Sequence, residues 1–181
     1  MPCSNLNDRI AISLFFIWLG ATAFAFYWFS DAKLVKFDPD GLLNTVLESQ
    51  SSKLAYEQAL KSELRQTYGS LANSAFNISQ SNCSCNQLLN THLQTLNPWL
   101  EQKGFFIHNV NYTGIKSYVP SSPAIIVFDE NESLIYVGPY STGYLCNSEN
   151  GIVELAINSA ISFKGIPAMI LSDAQGCYCH T

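Results

Sequence analysis

The sequence predicts an α/β domain carried behind an N-terminal transmembrane helix. Three observations predict it. Ile10–Phe29 is 20 residues without a charge, enough to cross a bilayer as one helix. Beyond it, helical and strand-like apolar patterns alternate along the chain, the order expected of an α/β domain. Ala124-Ile-Ile-Val-Phe128 is a continuous apolar run, the mark of a strand covered on both faces.

The apolar run comes first. Trp18, Tyr27 and Trp28 suit the membrane interface. Ala21-Thr-Ala23 and Ala23-Phe-Ala25 resemble signal-peptide cleavage sites, but the run continues past them through Phe26-Tyr-Trp-Phe29, as an uncleaved anchor does. The expected organisation is a short segment 1–9, an anchor 10–30, a linker 31–49 and a domain 50–181 with a cysteine-rich tail. Arg9 on one side and Lys33 and Lys36 on the other give no positive-inside argument for export. Clustered cysteines beyond the anchor do favour an oxidising compartment. From Phe37 onward six Lys/Arg face twelve Asp/Glu, within a chain of formal net charge −5. An acidic domain without a basic patch argues against a nucleic-acid partner and against docking on anionic lipid.

Residues 42–68 read as helix with a break near Ser51-Ser52, and Tyr56, Leu60, Leu64 and Tyr68 form its apolar side. Phe76 and Ile78 alternate with Asn77 and Ser79, a short strand. Ser81 and Asn82 offer turn and N-cap chemistry, and Leu88, Leu89, His92, Leu93 and Leu96 recur at helical spacing until Asn97-Pro98. Residues 105–112 are strand-like, between Gly104 and Gly114. Asp129–Glu132 turns the apolar run at 124–128 into an antiparallel neighbour, Ser133–Val137. Ile152, Leu155, Ala156, Ser159, Ala160 and Phe163 mark a last amphipathic helix.

The six cysteines are Cys3, Cys83, Cys85, Cys146, Cys177 and Cys179. Cys83 and Cys85 fall where a strand hands over to a helix. Partial positive charge and free N–H groups there favour a thiolate over a thiol. A Cys-x-Cys disulfide closes a very small ring, so Cys83/Cys85 read as a dithiol that exchanges rather than as a staple. The plain alternative is structural: either cysteine pairs with Cys146 or the tail and never reacts. The tail pair has three readings. Cys177 and Cys179 form a second redox pair, one of them bonds Cys146, or Cys83, Cys85, Cys177, Cys179 and His180 gather round Cu or Zn. In the last case the domain is a metal carrier. His92 reads as a packing histidine and His108 as solvent-facing. Asn77-Ile-Ser79, Asn111-Tyr-Thr113 and Asn131-Glu-Ser133 match glycosylation acceptors.

The element order, together with Ser121-Ser-Pro123-Ala-Ile-Ile-Val-Phe-Asp129 and Glu132-Ser-Leu-Ile-Tyr-Val-Gly-Pro139, resembles the membrane-anchored thioredoxin-like proteins of bacterial envelopes over residues 50–165. The resemblance implies a thioredoxin-like fold, with a mixed central sheet flanked by helices, and a cis Pro123 facing Cys83. It also implies thiol–disulfide exchange with protein thiols and disulfides, Cys83 attacking and Cys85 resolving, without a cofactor. The implied place is the bacterial inner membrane, single-pass, with the domain in the periplasm. The chain departs from the family in its one-residue cysteine spacing and in Cys146, Cys177 and Cys179. A further reading is a thioredoxin-like module that only binds a partner.

Overall fold

The computed structural model describes residues 6–31, 34–143, 151–163 and 165–180. The chain divides into two compact units, Met1–Leu34 and Val35–Thr181. In the first, α1 (Leu6–Asp31) contains one candidate membrane span, Asp8–Trp28, with mean hydropathy 2.0 and none of it buried. Large apolar side chains lie exposed along it, among them Phe16, Ile17 and Phe26. A bilayer is the solvent that suits such a surface.

The second unit begins with β1 (Val35–Lys36) and continues through α2 (Leu42–Leu47) and α3 (Gln50–Tyr68). The segment expected as a linker, 31–49, thus supplies elements of the unit, and its Phe37, Leu43 and Val46 are buried in the core. Asp38 makes this possible: its carboxylate accepts the N–H groups of Leu42, Leu43 and Asn44 at 2.7, 2.8 and 3.1 Å, satisfying the start of α2. The helical break falls at Glu48-Ser49. Ser49 Oγ accepts the Ser52 N–H at 3.1 Å and starts α3 afresh.

The sheet strands are β2 (Ser74–Ser79), β3 (Phe106–Asn111), β4 (Ala124–Phe128), β5 (Leu134–Gly138) and β6 (Met169–Ile170), in spatial order β3-β2-β4-β5-β6. β2–β3 and β5–β6 are parallel and β2–β4 and β4–β5 antiparallel, so the sheet is mixed. β4 is central and wholly buried, which is why its sequence shows no alternation. Alternation instead divides the cores. Phe76, Ile78, Ile126 and Phe128 pack with Tyr56, Leu60 and Leu64 of α3. Ala75, Ile125 and Val127 pack with Leu96 and Leu100 of α4 (Asn86–Gln102) and Val153 and Ile157 of α5 (Ile152–Ser162). Each fully buried aliphatic side chain contributes about 1.5–3 kcal/mol.

Three expectations change. α4 runs through Pro98, because Leu96 and Leu100 on either side are both buried and hold the helix against the sheet. α5 turns Val153, Ala156 and Ile157 inward and leaves Leu155 and Phe163 exposed, so its buried stripe is one residue out from the expected one. His108 is half-buried, stacked on Phe76 at 4.9 Å and beside Tyr68 at 5.0 Å, rather than solvent-facing. Of the three glycosylation triplets, that at Asn77 lies in the core, with Asn77 3% exposed.

Candidate functional site

The site is built at the carboxyl end of β2. After Ser79 the chain turns through Gln80–Cys85: the Cys83 N–H donates to Gln80 O at 3.1 Å and the Asn86 side-chain amide to the same carbonyl at 2.7 Å. The Asn86 N–H then donates to Cys83 O and the Leu89 N–H to Cys85 O, both at 3.2 Å, leading the turn into α4. Cys85, rather than Ser81 or Asn82, occupies the N-cap, and no side chain caps the helix there. The partial positive charge of this terminus therefore lies beside Cys85, with Cys83 two residues before it. Both cysteines are buried, 5% and 6% exposed.

The tail comes back to them. Phe37 and Ala174 begin the approach with a 2.8 Å N–H to carbonyl bond, and β7 (Gln175–Gly176) pairs antiparallel with β1. The Gly143 N–H donates to Gln175 O at 2.6 Å. A side chain at Gly176 would meet Tyr178, its Cβ lying 2.7 Å from the phenol oxygen. Tyr178 is itself a core residue, edge-on to Phe37 at 5.1 Å, with its hydroxyl donating to Ser141 O at 2.8 Å. The flanking Cys177 and Cys179 point the other way, consistent with the two-residue alternation of extended chain. Each meets one cysteine of the turn: Cys83 bonds Cys179 and Cys85 bonds Cys177, with Cα separations of 5.8 and 5.6 Å. The two tail cysteines are half-buried, whereas their partners in the turn are buried.

A third segment closes the site. The Ser122–Pro123 peptide is cis. Ser122 and Cys179 exchange two backbone hydrogen bonds, 3.1 Å from Ser122 N–H and 2.6 Å from Cys179 N–H. Ser122 O also lies 3.8 Å from Cys83 Sγ. Next to it Ser121 Oγ donates to Phe37 O and lies 2.7 Å from His180 Nδ1. A hydroxyl has one proton, so Nδ1 is the donor in this second bond.

Of the residues singled out from sequence, Cys83, Cys85, Pro123, Cys177, Cys179 and His180 come together here. Cys146 lies outside the described residues. Neither Cys-x-Cys pair is closed on itself; the two are cross-linked. Ser121, Ser122, Phe37 and Tyr178 were not singled out for this site, and the matching one-residue spacing of the two cysteine pairs is the signal that links turn to tail. The sulfurs of Cys83, Cys85 and Cys179 all lie within 4.8 Å of one another, close enough for a shared metal ion. His180, tied to Ser121, is not among them. A separate polar cluster lies along α4: His92 is buried with Nε2 3.7 Å from Glu154, and the Tyr140 hydroxyl donates to Asn77 Oδ1 at 2.7 Å. Burial lowers the His92 pKa, with Glu154 partly opposing, so the ring is a neutral packing group.

Fold and site together define a class: an α/β protein with a mixed sheet, one candidate membrane-spanning helix and a four-cysteine centre at a strand-to-helix junction. Residues 50–181, nearly three quarters of the chain, match the family model described as a domain of unknown function, DUF6436. The chain belongs to that family. No curated protein and no solved structure matches it.

Proposed function

We propose that this protein is a membrane-anchored, thioredoxin-like thiol–disulfide exchange protein acting on partner proteins through Cys83 and Cys85. The observation that carries the reading is the pairing itself. Both cysteines at the start of α4 are buried and each is bonded to a cysteine of the tail whose residue is only half-buried, the more open side for an incoming thiolate. Attack on Cys179 Sγ forms a mixed disulfide there and expels Cys83 as thiolate, a leaving group favoured by the nearby helix terminus. The partner's second thiol then attacks the mixed disulfide, leaves as a disulfide, and frees Cys179. Two electrons and two protons have moved from partner to protein.

In the reverse direction the Cys83 thiolate attacks a partner disulfide, and Cys179 returns to resolve the adduct. Cys85 and Cys177 repeat the step one rung further. Cys179, already bonded to Cys83, is better placed to resolve than Cys85, whose sulfur is tied to Cys177. Ser122 supports the reading, since its backbone pairs with Cys179 while its carbonyl lies 3.8 Å from Cys83 Sγ. The chemistry requires the unit from Val35 onward to face an oxidising compartment, the periplasm if the host is a bacterium.

The test is the rate of exchange at Cys83. In the full chain carrying Cys179→Ser, Cys83 is left without its partner. Its reaction with a small peptide disulfide, followed by mass spectrometry at neutral pH, is expected to exceed that in the urea-unfolded chain by about threefold, the net effect of one unit of pKa depression once the weaker nucleophilicity of the more acidic thiolate is counted. Equal or slower reaction of the folded chain would overturn the reading and leave the cysteines as staples.

A further inference from the structure

Apart from any exchange activity, the same four cysteines have the composition and placement of a metal site. We infer that in the reduced protein Cys83, Cys85, Cys177 and Cys179 bind one thiophilic cation of the Zn2+ class, so that the oxidation state of the centre decides whether metal is held.

Convergence is the first argument. The sulfurs of Cys83, Cys85 and Cys179 already lie within 4.8 Å of one another, and Cys177 is the bonded neighbour of Cys85. Zinc–sulfur bonds of about 2.3 Å in a tetrahedron place sulfurs about 3.8 Å apart. Opening the two disulfides lets the bonded sulfurs part from 2.12 and 2.05 Å toward that spacing, and Cys177, which lies outside the 4.8 Å group, swings in from beside Cys85. A one-residue spacing is shorter than the common zinc spacing of two to four. It serves because the ligands come as two pairs from two facing segments, the turn before α4 and the returning tail.

The second argument is that the tail does not depend on the disulfides for its position. β7 pairs with β1, Cys179 exchanges two backbone hydrogen bonds with Ser122, and Tyr178 is anchored in the core between Phe37 and Ser141. None of these contacts runs through a disulfide sulfur, so reduction removes none of them directly, and the tail is already placed opposite the turn when metal binds. Cys83 and Cys85 are buried, which limits competition from water, and the start of α4 offsets part of the thiolate charge. His180 is not among the groups that converge there, which leaves an all-sulfur set that selects soft or borderline cations over Mg2+ or Ca2+.

The chemistry balances. Two molecules of a dithiol reductant open the two disulfides, each giving two electrons and two protons and becoming a disulfide itself. Four thiols result. One Zn2+ then displaces four protons and forms four Zn–S bonds. A disulfide oxidant, two equivalents for the centre, takes four electrons, re-forms Cys83–Cys179 and Cys85–Cys177, and releases the cation. The inference does not rest on fast exchange: a chain with ordinary exchange rates would bind Zn2+ equally, and one that exchanges without binding Zn2+ refutes this inference alone.

The experiment uses the full chain in detergent micelles, with Cys3→Ser and Cys146→Ser so that every remaining thiol belongs to the centre. The protein is reduced with dithiothreitol, freed of reductant without air, and titrated with Zn2+ against a chromophoric chelator. One Zn2+ per chain is expected, with all four thiols protected from alkylation until a strong chelator is added. Co2+ in place of Zn2+ should give the intense visible bands of a tetrahedral thiolate site. Cys85→Ser or Cys179→Ser should weaken binding at least about tenfold, the low end of what loss of even an outer-shell partner costs, and the oxidised chain should bind none. Three results would each overturn the inference: no binding, binding that persists when all four cysteines are Ser, and Co2+ spectra without sulfur ligation. Far-ultraviolet circular dichroism covers the case in which the reduced chain loses its fold. Zn2+ should then restore the spectrum, and a chain that stays unfolded with Zn2+ counts against the site.

Discussion

His92 lies on α4 with its ring buried and its Nε2 3.7 Å from a Glu154 carboxylate oxygen, while His108 stacks on Phe76. Burial lowers both pKa values from the ordinary 6.5; for His92 the Glu154 carboxylate pulls partly back. A depressed histidine binds fewer protons folded than unfolded. Its contribution is therefore complete above the unfolded pKa of about 6.5 and is lost as pH falls toward the lower folded value. Glu132 acts in another window. Hydrogen bonds from Arg65, Leu71 and Ser70 hold its carboxyl down at about 2, so its contribution is whole above the ordinary 4.5 and fades as pH falls from there to about 2. Thermal unfolding from pH 7 to pH 5 should thus show a falling Tm in the parent. A shallower fall is expected in His108→Gln and in His92→Gln. An unchanged slope in both variants would mean that neither ring carries the linkage.

At the scale of elements, α4 holds an unexpected residue in Pro98, which is exposed and lies within the helix. It lacks the N–H that would bond the Gln94 carbonyl, and its ring crowds that turn. The flanking Leu96 and Leu100 are buried and offset this loss. Pro98→Ala restores the donor on a solvent-facing position and should raise stability by about 1–3 kcal/mol in chemical denaturation. No gain, or a loss, would show that the proline does something for the helix that its backbone does not reveal.

The two disulfides act on the whole unit, joining positions 96 and 92 residues apart in nested loops. Either bond alone closes the long loop, worth about 4–5 kcal/mol in the chain-entropy account, whereas the second closes only a ring of a few residues, worth about 2. The bonds should therefore be strongly non-additive. Replacing one pair by Ser, either Cys83 with Cys179 or Cys85 with Cys177, should cost about 2 kcal/mol, and removing the remaining pair about 4–5 more. Denaturant unfolding of the two double variants and the quadruple variant measures this. Equal increments would show that the bonds act independently. A centre that keeps its long-range closure while one rung is open is suited to exchange.

The sequence by itself determined the candidate membrane-spanning helix, the buried strand 124–128 with its antiparallel neighbour, and the position of Cys83 and Cys85, because these depend on local pattern. Twenty uncharged residues need a bilayer or a core, an unbroken apolar strand must be covered on both faces, and a turn before an amphipathic helix places Cys83 and Cys85 at its start. Only the tertiary structure decided the rest. Which cysteine meets which depends on β7 finding β1, on Tyr178 turning into the core beside Phe37, and on Ser122 pairing with Cys179. These partners lie scores of residues apart in sequence, and no local spacing encodes them. The same reason explains the linker that became core and the rotated face of α5. Periodicity says that a helix has an apolar side, but the neighbours it packs against choose which residues that side contains.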